Sequence, residues 1–315
     1  MLKRKNTPSI NQAKRRHLVS STLTTRNLLA FFLPAGIFMA VFLVFPLIKL
    51  FWDSFFNMGD RFVAPSFAGV GNYAKAFSSE TFLHDLLNTM VYVVIAVGAE
   101  TLLGLTLAVV LTHKFRGFKL IRTLILTPLM IAPLVAGLVW KFMLSGQFGI
   151  VNVLLMRLGI IHSADSILWL SNNHLALLSC ILADIWLTTP FMMLMFLAGI
   201  QGVPNELYEA AMVSGANRWQ IITQVIIPNI RPVIFSAVVI RTIDAARTFD
   251  IIWAMTQGGP EGSSELLSIH IYKMLQRYGD VGYASAVSVI FIILLVSIAL
   301  IAQHHMNREA NESDR

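Results

Sequence analysis

The chain has 315 residues, 56% of them hydrophobic and only 13% charged. An ordinary soluble domain carries roughly 25% charged residues, so the composition excludes a soluble globular protein and points to the membrane. One cysteine, Cys180, excludes an intramolecular disulfide framework, and the net charge of +7 is explained by membrane topology rather than by a nucleic-acid partner, because the basic residues collect where orientation rules need them.

Residues 1–27 are polar and basic, with Lys3, Arg4, Lys5, Lys14, Arg15, Arg16 and Arg26. They read as a disordered cytoplasmic arm beside anionic headgroups of the lipid bilayer. A hydrocarbon core takes about 20 helical residues to cross. Six apolar runs meet or approach that length: Leu28–Phe51, Leu86–Leu111, Leu120–Leu144, Leu175–Ile200, Val233–Met255 and Ala284–Ala302. The expected fold is an all-α polytopic membrane protein with six transmembrane helices. The first run, 28–51, is too long for a signal sequence and lacks a small-residue cleavage site, so it reads as a retained helix. Segment 52–85 is an outer loop holding Phe55, Phe56, Phe62, Phe67, Tyr73 and Phe77, part of it lying along the interface. Five helices fill 86–302, and 303–315 form a tail.

Prolines 34, 46, 128, 133 and 190 fall inside these runs. Each removes a backbone donor and bends its helix; such breaks either line cavities or serve as packing kinks. Cys180 reads as a small buried hydrophobe, and Trp169 as an interfacial anchor. Lys114, Arg116, Lys119, Arg122, Arg218, Arg231, Arg308 and Arg315 fall on the same side as the basic arm. They outnumber Arg61, Lys75, Lys141, Arg157, Lys273 and Arg277 opposite. Both termini are therefore expected in the cytoplasm.

Between the fourth and fifth runs lies a polar island that ends at Pro228, the loop 205–228. Asn205 is expected to cap a helix whose positive end favours Glu206 and Glu209. That helix runs through Leu207, Ala210, Ala211 and Val213 and stops at Gly215, a residue suited to the left-handed conformation past a helix end. Asn217 caps a second helix, with Gln220 three residues on. Trp219, Ile222 and Val225 follow before Pro228 and Pro232 bend the chain. Two readings are open: a capped connector, or a docking unit whose small face of Ala210 and Ala211 seats in a partner's groove.

Ionisable groups inside spans are costly and mark function. Glu100 and Asp184 are two of them, and RTIDAARTFD at 241–250 is the densest set. Arg241, Asp244, Arg247 and Asp250 follow three apart with alternating sign. Neighbours at that spacing meet on a helix, so one reading is a ladder of intrahelical ion pairs. The other is the wall of a water-filled solute path, joined by Asn88, Asp184, Trp186, Thr188, Thr189 and Trp253, with Arg247 and Asp250 alternatively touching a partner permease. His304 and His305 lack further ligands, so no metal site is expected. The chain has no GxxxxGK[ST], HExxH or GxSxG, so it cannot use ATP through a phosphate loop and shows no hydrolase constellation.

ELYEAAMVSGANRWQIITQVIIP resembles the EAA loop of permease subunits of bacterial binding-protein-dependent ABC importers. Glu209-Ala210-Ala211, Gly215 and Pro228 carry the match. FAGVGNYAKAF, Phe67–Phe77, and FDIIWAMTQGGP, Phe249–Pro260, resemble the sugar-importer branch of maltose and glycerol-phosphate type, and the likeness spans Leu28 to Ala302. The resemblance implies a permease, itself non-catalytic and binding no cofactor. ATP and Mg would sit on a separate dimeric ATPase. The loop, through Glu206, Glu209, Ala210, Ala211, Gly215, Trp219 and Pro228, would dock in a cleft of that ATPase, with Glu209 on a basic group. A second homologous permease would complete the pore. An extracytoplasmic binding protein would deliver a sugar-like solute, and Gly258, Gly259 and Pro260 either contact it or only end a helix. An ion-gradient-driven carrier or channel is the alternative; the absence of an internal repeat weighs against it.

Overall fold

The computed structural model describes residues 25–58, 64–112, 116–163 and 165–313, with side chains described from Phe32 to His304 within those ranges. The basic arm up to residue 24, Arg61, Phe62, Lys114 and Arg315 lie outside the described residues, as do the side chains of His305 and Arg308. The chain divides into two compact units, Met1–Asp53 and Ser54–Arg315.

In the first unit, α1 (Thr25–Met39) continues through a π-helical stretch, Ala40–Val44, into α2 (Phe45–Asp53). The wide turn falls just before Pro46, whose ring has no N–H for the carbonyl four residues back. Shifting to the i→i+5 pattern there keeps the chain helical past the missing donor. Lys49 and Asp53 close a pair at 2.6 Å, one turn apart. This is the expected first span, 28–51, three residues longer at its start and two at its end.

In the second unit, the described residues of 54–85 fold rather than trail as a loop. From Ser54 on, β1 (Phe56–Asn57) pairs antiparallel with β2 (Ser66–Phe67), and α3 (Gly71–Ser78) follows. Asn72 Nδ2 donates to the carbonyls of Ser54 and Phe56, both at 3.0 Å. Lys75 reaches Asp280 at 2.9 Å and stands 4.7 Å over the Tyr283 ring, at the start of the last helix.

The core is built on α4 (Glu80–Leu111) and α8 (Ala176–Gln201). They run in the same direction: Tyr92, Ala96 and Val97 pack with Cys180, Ile181 and Leu187, while Ala108 and Leu111 pack with Met193, Phe196 and Ile200. They pack tightly at Gly104, where an added Cβ would stand 2.8 Å from Met192 Cβ. Small residues let membrane helices approach in this way. Cys180 is fully buried, as expected.

The run Leu120–Leu144 is not one straight helix. It forms α5 (Phe118–Leu126), a 3₁₀ turn (Thr127–Met130) and α6 (Pro133–Met143), and the two parts meet at 104°. Pro128 and Pro133 withdraw donors, and Ala132, before a proline, is extended at ψ 137°. Among its described residues the second unit thus holds four long apolar helices plus this bent pair. Next, α7 (Ile150–Arg157) buries Asn152, which accepts from Trp169 Nε1 at 2.6 Å. Trp169, half-buried, packs its ring against the core.

After α8 come α9 (Asn205–Val213), the short α10 (Arg218–Gln220), a π stretch (Ile221–Ile226) and α11 (Ile227–Ala246). Again the π stretch precedes a proline, Pro228. The second loop helix thus runs into the fifth span without the expected break. The span instead breaks at 247–249 and restarts as α12 (Asp250–Met255). Finally α13 (Leu267–Gln276) and α14 (Val281–Ser313) close the fold.

Candidate functional site

The loop 205–228 is a built unit whose parts are satisfied locally. The expected Asn205 cap is not made: Asn205 lies inside α9, and Pro204 takes the cap position at ψ 136° with no side-chain bond. A proline there has its φ already set and no N–H to satisfy. The other end is as expected. Gly215 has φ +79°, its N–H bonds Met212 O at 3.0 Å, and Ala216 N bonds Ala211 O at 3.0 Å. This pair of bonds is the Schellman closure of a helix end. Asn217 and Gln220 then form a reciprocal capping box, at 2.9 and 2.7 Å. Pro228 sits in the first turn of α11.

What this unit offers to a partner is apolar and acidic together. Val213 is 89% exposed and Trp219 71%. Leu207, Met212, Glu206, Glu209 and Ala210 are also exposed, and Ala211 is half-buried. Asn217→Ala removes the bond that the Asn217 side chain accepts from Gln220 N and leaves the one its backbone N–H donates to Gln220 Oε1. It is expected to weaken the start of α10 by about 1 kcal/mol, seen as trypsin cleavage at Arg218 about fivefold faster; an unchanged rate would mean the box does not hold the loop.

The charged set at 241–250 is arranged otherwise than a ladder. Arg241 turns away from Asp244 and enters the core, only 4% exposed. Its Nε donates to Glu100 Oε2 at 2.6 Å and its Nη2 to Glu100 Oε1 at 3.0 Å, while Nη2 also bonds Asp184 Oδ2. Thr188 Oγ1 donates to Glu100 at 2.6 Å, and the buried Tyr92 phenol lies beside Asp184. One guanidinium thus ties α4, α8 and α11 together. A bidentate carboxylate pair is the strong form of such a bond. The cluster is closed to solvent, so in this conformation it binds α-helices to one another and not a solute.

Only Arg247 and Asp244 keep the expected intrahelical pair, at 2.5 Å. Ile240 and Asp244 lie one turn apart on α11, and Arg247, just past its end, is 64% exposed. Asp250 is exposed at the start of α12, and Trp186 is exposed on α8. Trp253 is half-buried in an aromatic group, stacked on Phe249 at 5.4 Å and edge-on to Tyr272 at 4.8 Å, with Arg277 over its ring. Asn88 leaves the solute-path set: its amide donates to the carbonyls of Gly262 and Glu265 at 3.3 and 3.2 Å.

At the end of the molecule opposite the 205–228 loop, Gly258, Gly259 and Pro260 open a tight turn. Gly258 is at φ +86°, and an added Cβ would meet Glu265 and Lys273 at 3.1 Å. Lys273 Nζ bonds Glu265, and His270 Nδ1 is 2.7 Å from Asp85 Oδ2. Burial raises the Glu265 carboxyl above its usual pKa, and Lys273 pulls against it. This group of buried Asp85, Glu265 and His270 with half-buried Lys273 was missed by sequence reasoning, as were Tyr92 and the role of Glu100. A signal was present: Asp85, Asn88, Thr89, Tyr92, Ala96, Glu100, Gly104 and Ala108 recur at three- and four-residue spacing, a polar and small stripe in an otherwise apolar helix.

A family model described as "Binding-protein-dependent transport system inner membrane component" matches residues 100–311. The trehalose/maltose transport system permease protein MalF of Thermococcus litoralis is 32% identical over 269 residues, which are 85% of this chain and 90% of that relative. A bacterial ABC transporter involved in the import of the acidic polysaccharide alginate has a chain that superposes with TM-score 0.80 at 25% identity, over 93% of this chain and 99% of its own. A bacterial alginate ABC transporter in complex with an alginate pentasaccharide-bound periplasmic protein gives TM-score 0.78 at 25% identity, over 89% of this chain and 94% of its own.

Proposed function

The chain belongs to the family of binding-protein-dependent transport system inner membrane components, and on that premise we propose that it is the translocation subunit of an importer for a sugar or sugar-like solute. The solute class rests on the relatives, which are transporters of trehalose and maltose and of the acidic polysaccharide alginate. ATP and Mg bind a separate dimeric ATPase, and no covalent chemistry occurs in this chain. Both termini and the 205–228 loop face the cytoplasm, as the basic residues favour. A periplasmic binding protein docks at the opposite end, near Gly258, Gly259 and Pro260.

The observation that carries this reading is the loop itself. It is capped at Asn217, closed at Gly215, and exposes Val213 and Trp219 beside Glu206 and Glu209. Large exposed apolar groups rimmed by charge favour a protein partner. In the assembly Val213 and Trp219 enter the ATPase cleft, and Glu209 meets a basic group there. A second homologous permease covers Asp244 and Arg247, since an exposed charge in a spanning helix needs protein or water beside it.

The test is a mild-detergent purification of the tagged chain from its native host, with mass spectrometry of what accompanies it. The expected result is an ATPase and a second permease in near-stoichiometric amount. A chain that emerges alone or as a homo-oligomer, under conditions that preserve a known importer, would sink this reading and promote the ion-driven carrier.

A further inference from the structure

Three side chains on the buried face of the outer end of α4, Asp85, Asn88 and Thr89, are bonded to one distant segment. Asn88 donates to the carbonyls of Gly262 and Glu265. Thr89 Oγ1 accepts from Leu267 N at 3.0 Å while donating to Asp85 O at 2.7 Å. His270, one turn further on, meets Asp85. The held turn is stiffened from within: Ser264 Oγ donates to Gly259 O at 2.6 Å and lies 2.7 Å from Thr256 Oγ1. Its tip stays accessible at Glu261, which accepts from Asn173 at 3.1 Å.

That end of the helix is not built for stability alone. Asp85 Oδ1 is buried with no hydrogen bond, His84 Nδ1 standing 3.5 Å from it, and His270 Nε2 is buried with none. Unpaired buried polar atoms are costly, and native proteins rarely keep them without a use. The same helix continues without proline to Glu100. Thr89 and Glu100 are about 16 Å apart along one rigid element.

We propose that Asp85, Asn88 and Thr89 form a clamp that fixes the turn from Gly258 to Leu267 onto α4, and that α4 carries a shift of this turn to the Glu100–Arg241–Asp184 cluster. The clamp is the receiving end of binding-protein docking, so it rests on the reading above that a periplasmic protein docks at this turn. Asp85, Asn88 and Thr89 are positioning residues: they touch no solute and act through the turn and the helix.

The experiment uses the whole complex reconstituted in lipid vesicles, with its own binding protein added. Thr89→Val removes the acceptor for Leu267 N, and Thr89→Ser keeps it. At saturating binding protein, Thr89→Val is expected to lower stimulated ATP hydrolysis about tenfold, the scale of an ordinary coupling free energy. Basal hydrolysis and binding-protein affinity should stay within about twofold, and Thr89→Ser should behave as the parent. Should the valine variant not assemble, His270→Asn, which cannot reach Asp85, is read the same way. Unaltered stimulation, or a loss of affinity alone, overturns the relay. Thr89→Val combined with Thr188→Val, which strips a donor from Glu100, checks the path: sites this far apart are additive unless coupled, so additive losses also overturn it. A parent complex indifferent to the binding protein removes the docking reading, and the clamp with it.

Discussion

Gly215→Val is expected to leave the chain inserted in the membrane and to cut uptake to a tenth or less of the parent's, about the effect of losing one coupling contact. Gly215 lies at φ +79°, with nothing within 4 Å of where a Cβ would stand. The fault is therefore in the backbone and not in crowding. A left-handed L-residue costs roughly 1–2 kcal/mol, and β-branching makes it an outlier. The cheaper course is for α9 to run on past Ser214. That breaks the bonds from Gly215 N to Met212 O and from Ala216 N to Ala211 O. It also turns the Asn217 box, and Trp219 with it, away from where the first helix aims its face. Gly215→Asn is the control, because asparagine tolerates this region, and it should keep most activity. The measurement is uptake of the solute held by the binding protein, alongside ATP hydrolysis by the same vesicles. Normal uptake by the valine variant would show that the sharp turn is not what the coupling needs.

Gly215 and the Asn217–Gln220 box were legible in the sequence because both are local: φ preference and a three-residue spacing settle them. The spans were legible for a similar reason, since length and apolarity are properties of one segment, and α8 falls at Ala176–Gln201 against an expected 175–200. The run at 120–144 deceived because counting apolar residues ignores the two donors that Pro128 and Pro133 withhold. Asn205 deceived because a proline one residue earlier ends the helix without any side-chain bond. The ladder failed for a deeper reason. Spacing three apart says which groups on one helix can meet, and nothing of what another helix offers. Glu100, 141 residues away in sequence, presents both oxygens to Arg241, and a bidentate buried partner wins over a solvent-exposed neighbour. Asn88 was misassigned in the same way, its true acceptors being carbonyls 174 and 177 residues off.

Arg241→Met is expected to remove nearly all folded chain from the membrane. Methionine fills much of the space but leaves Glu100 and Asp184, both buried, facing one another without the cation they share. Breaking a buried ion pair from one side costs about 3–5 kcal/mol, a large part of the stability of an ordinary domain. Three helices lose their common tie at once. The expected readout is a collapse in detergent-extractable monodisperse protein and in the midpoint of its thermal unfolding; a stable Arg241→Met chain would mean the cluster does not hold the helices. The triple variant Glu100→Gln, Asp184→Asn, Arg241→Met separates structure from transport. With every charge gone, amides and a thioether pack where ions did, and such replacements are often neutral or stabilising. Folded yield should therefore return. If uptake returns with it, the cluster is an internal brace and the solute path lies along the exposed face of Asp244, Arg247 and Asp250. If the chain folds, assembles and does not transport, the charges act in the transport cycle itself, opening as the helices part and meeting the solute only in a conformation other than this closed one.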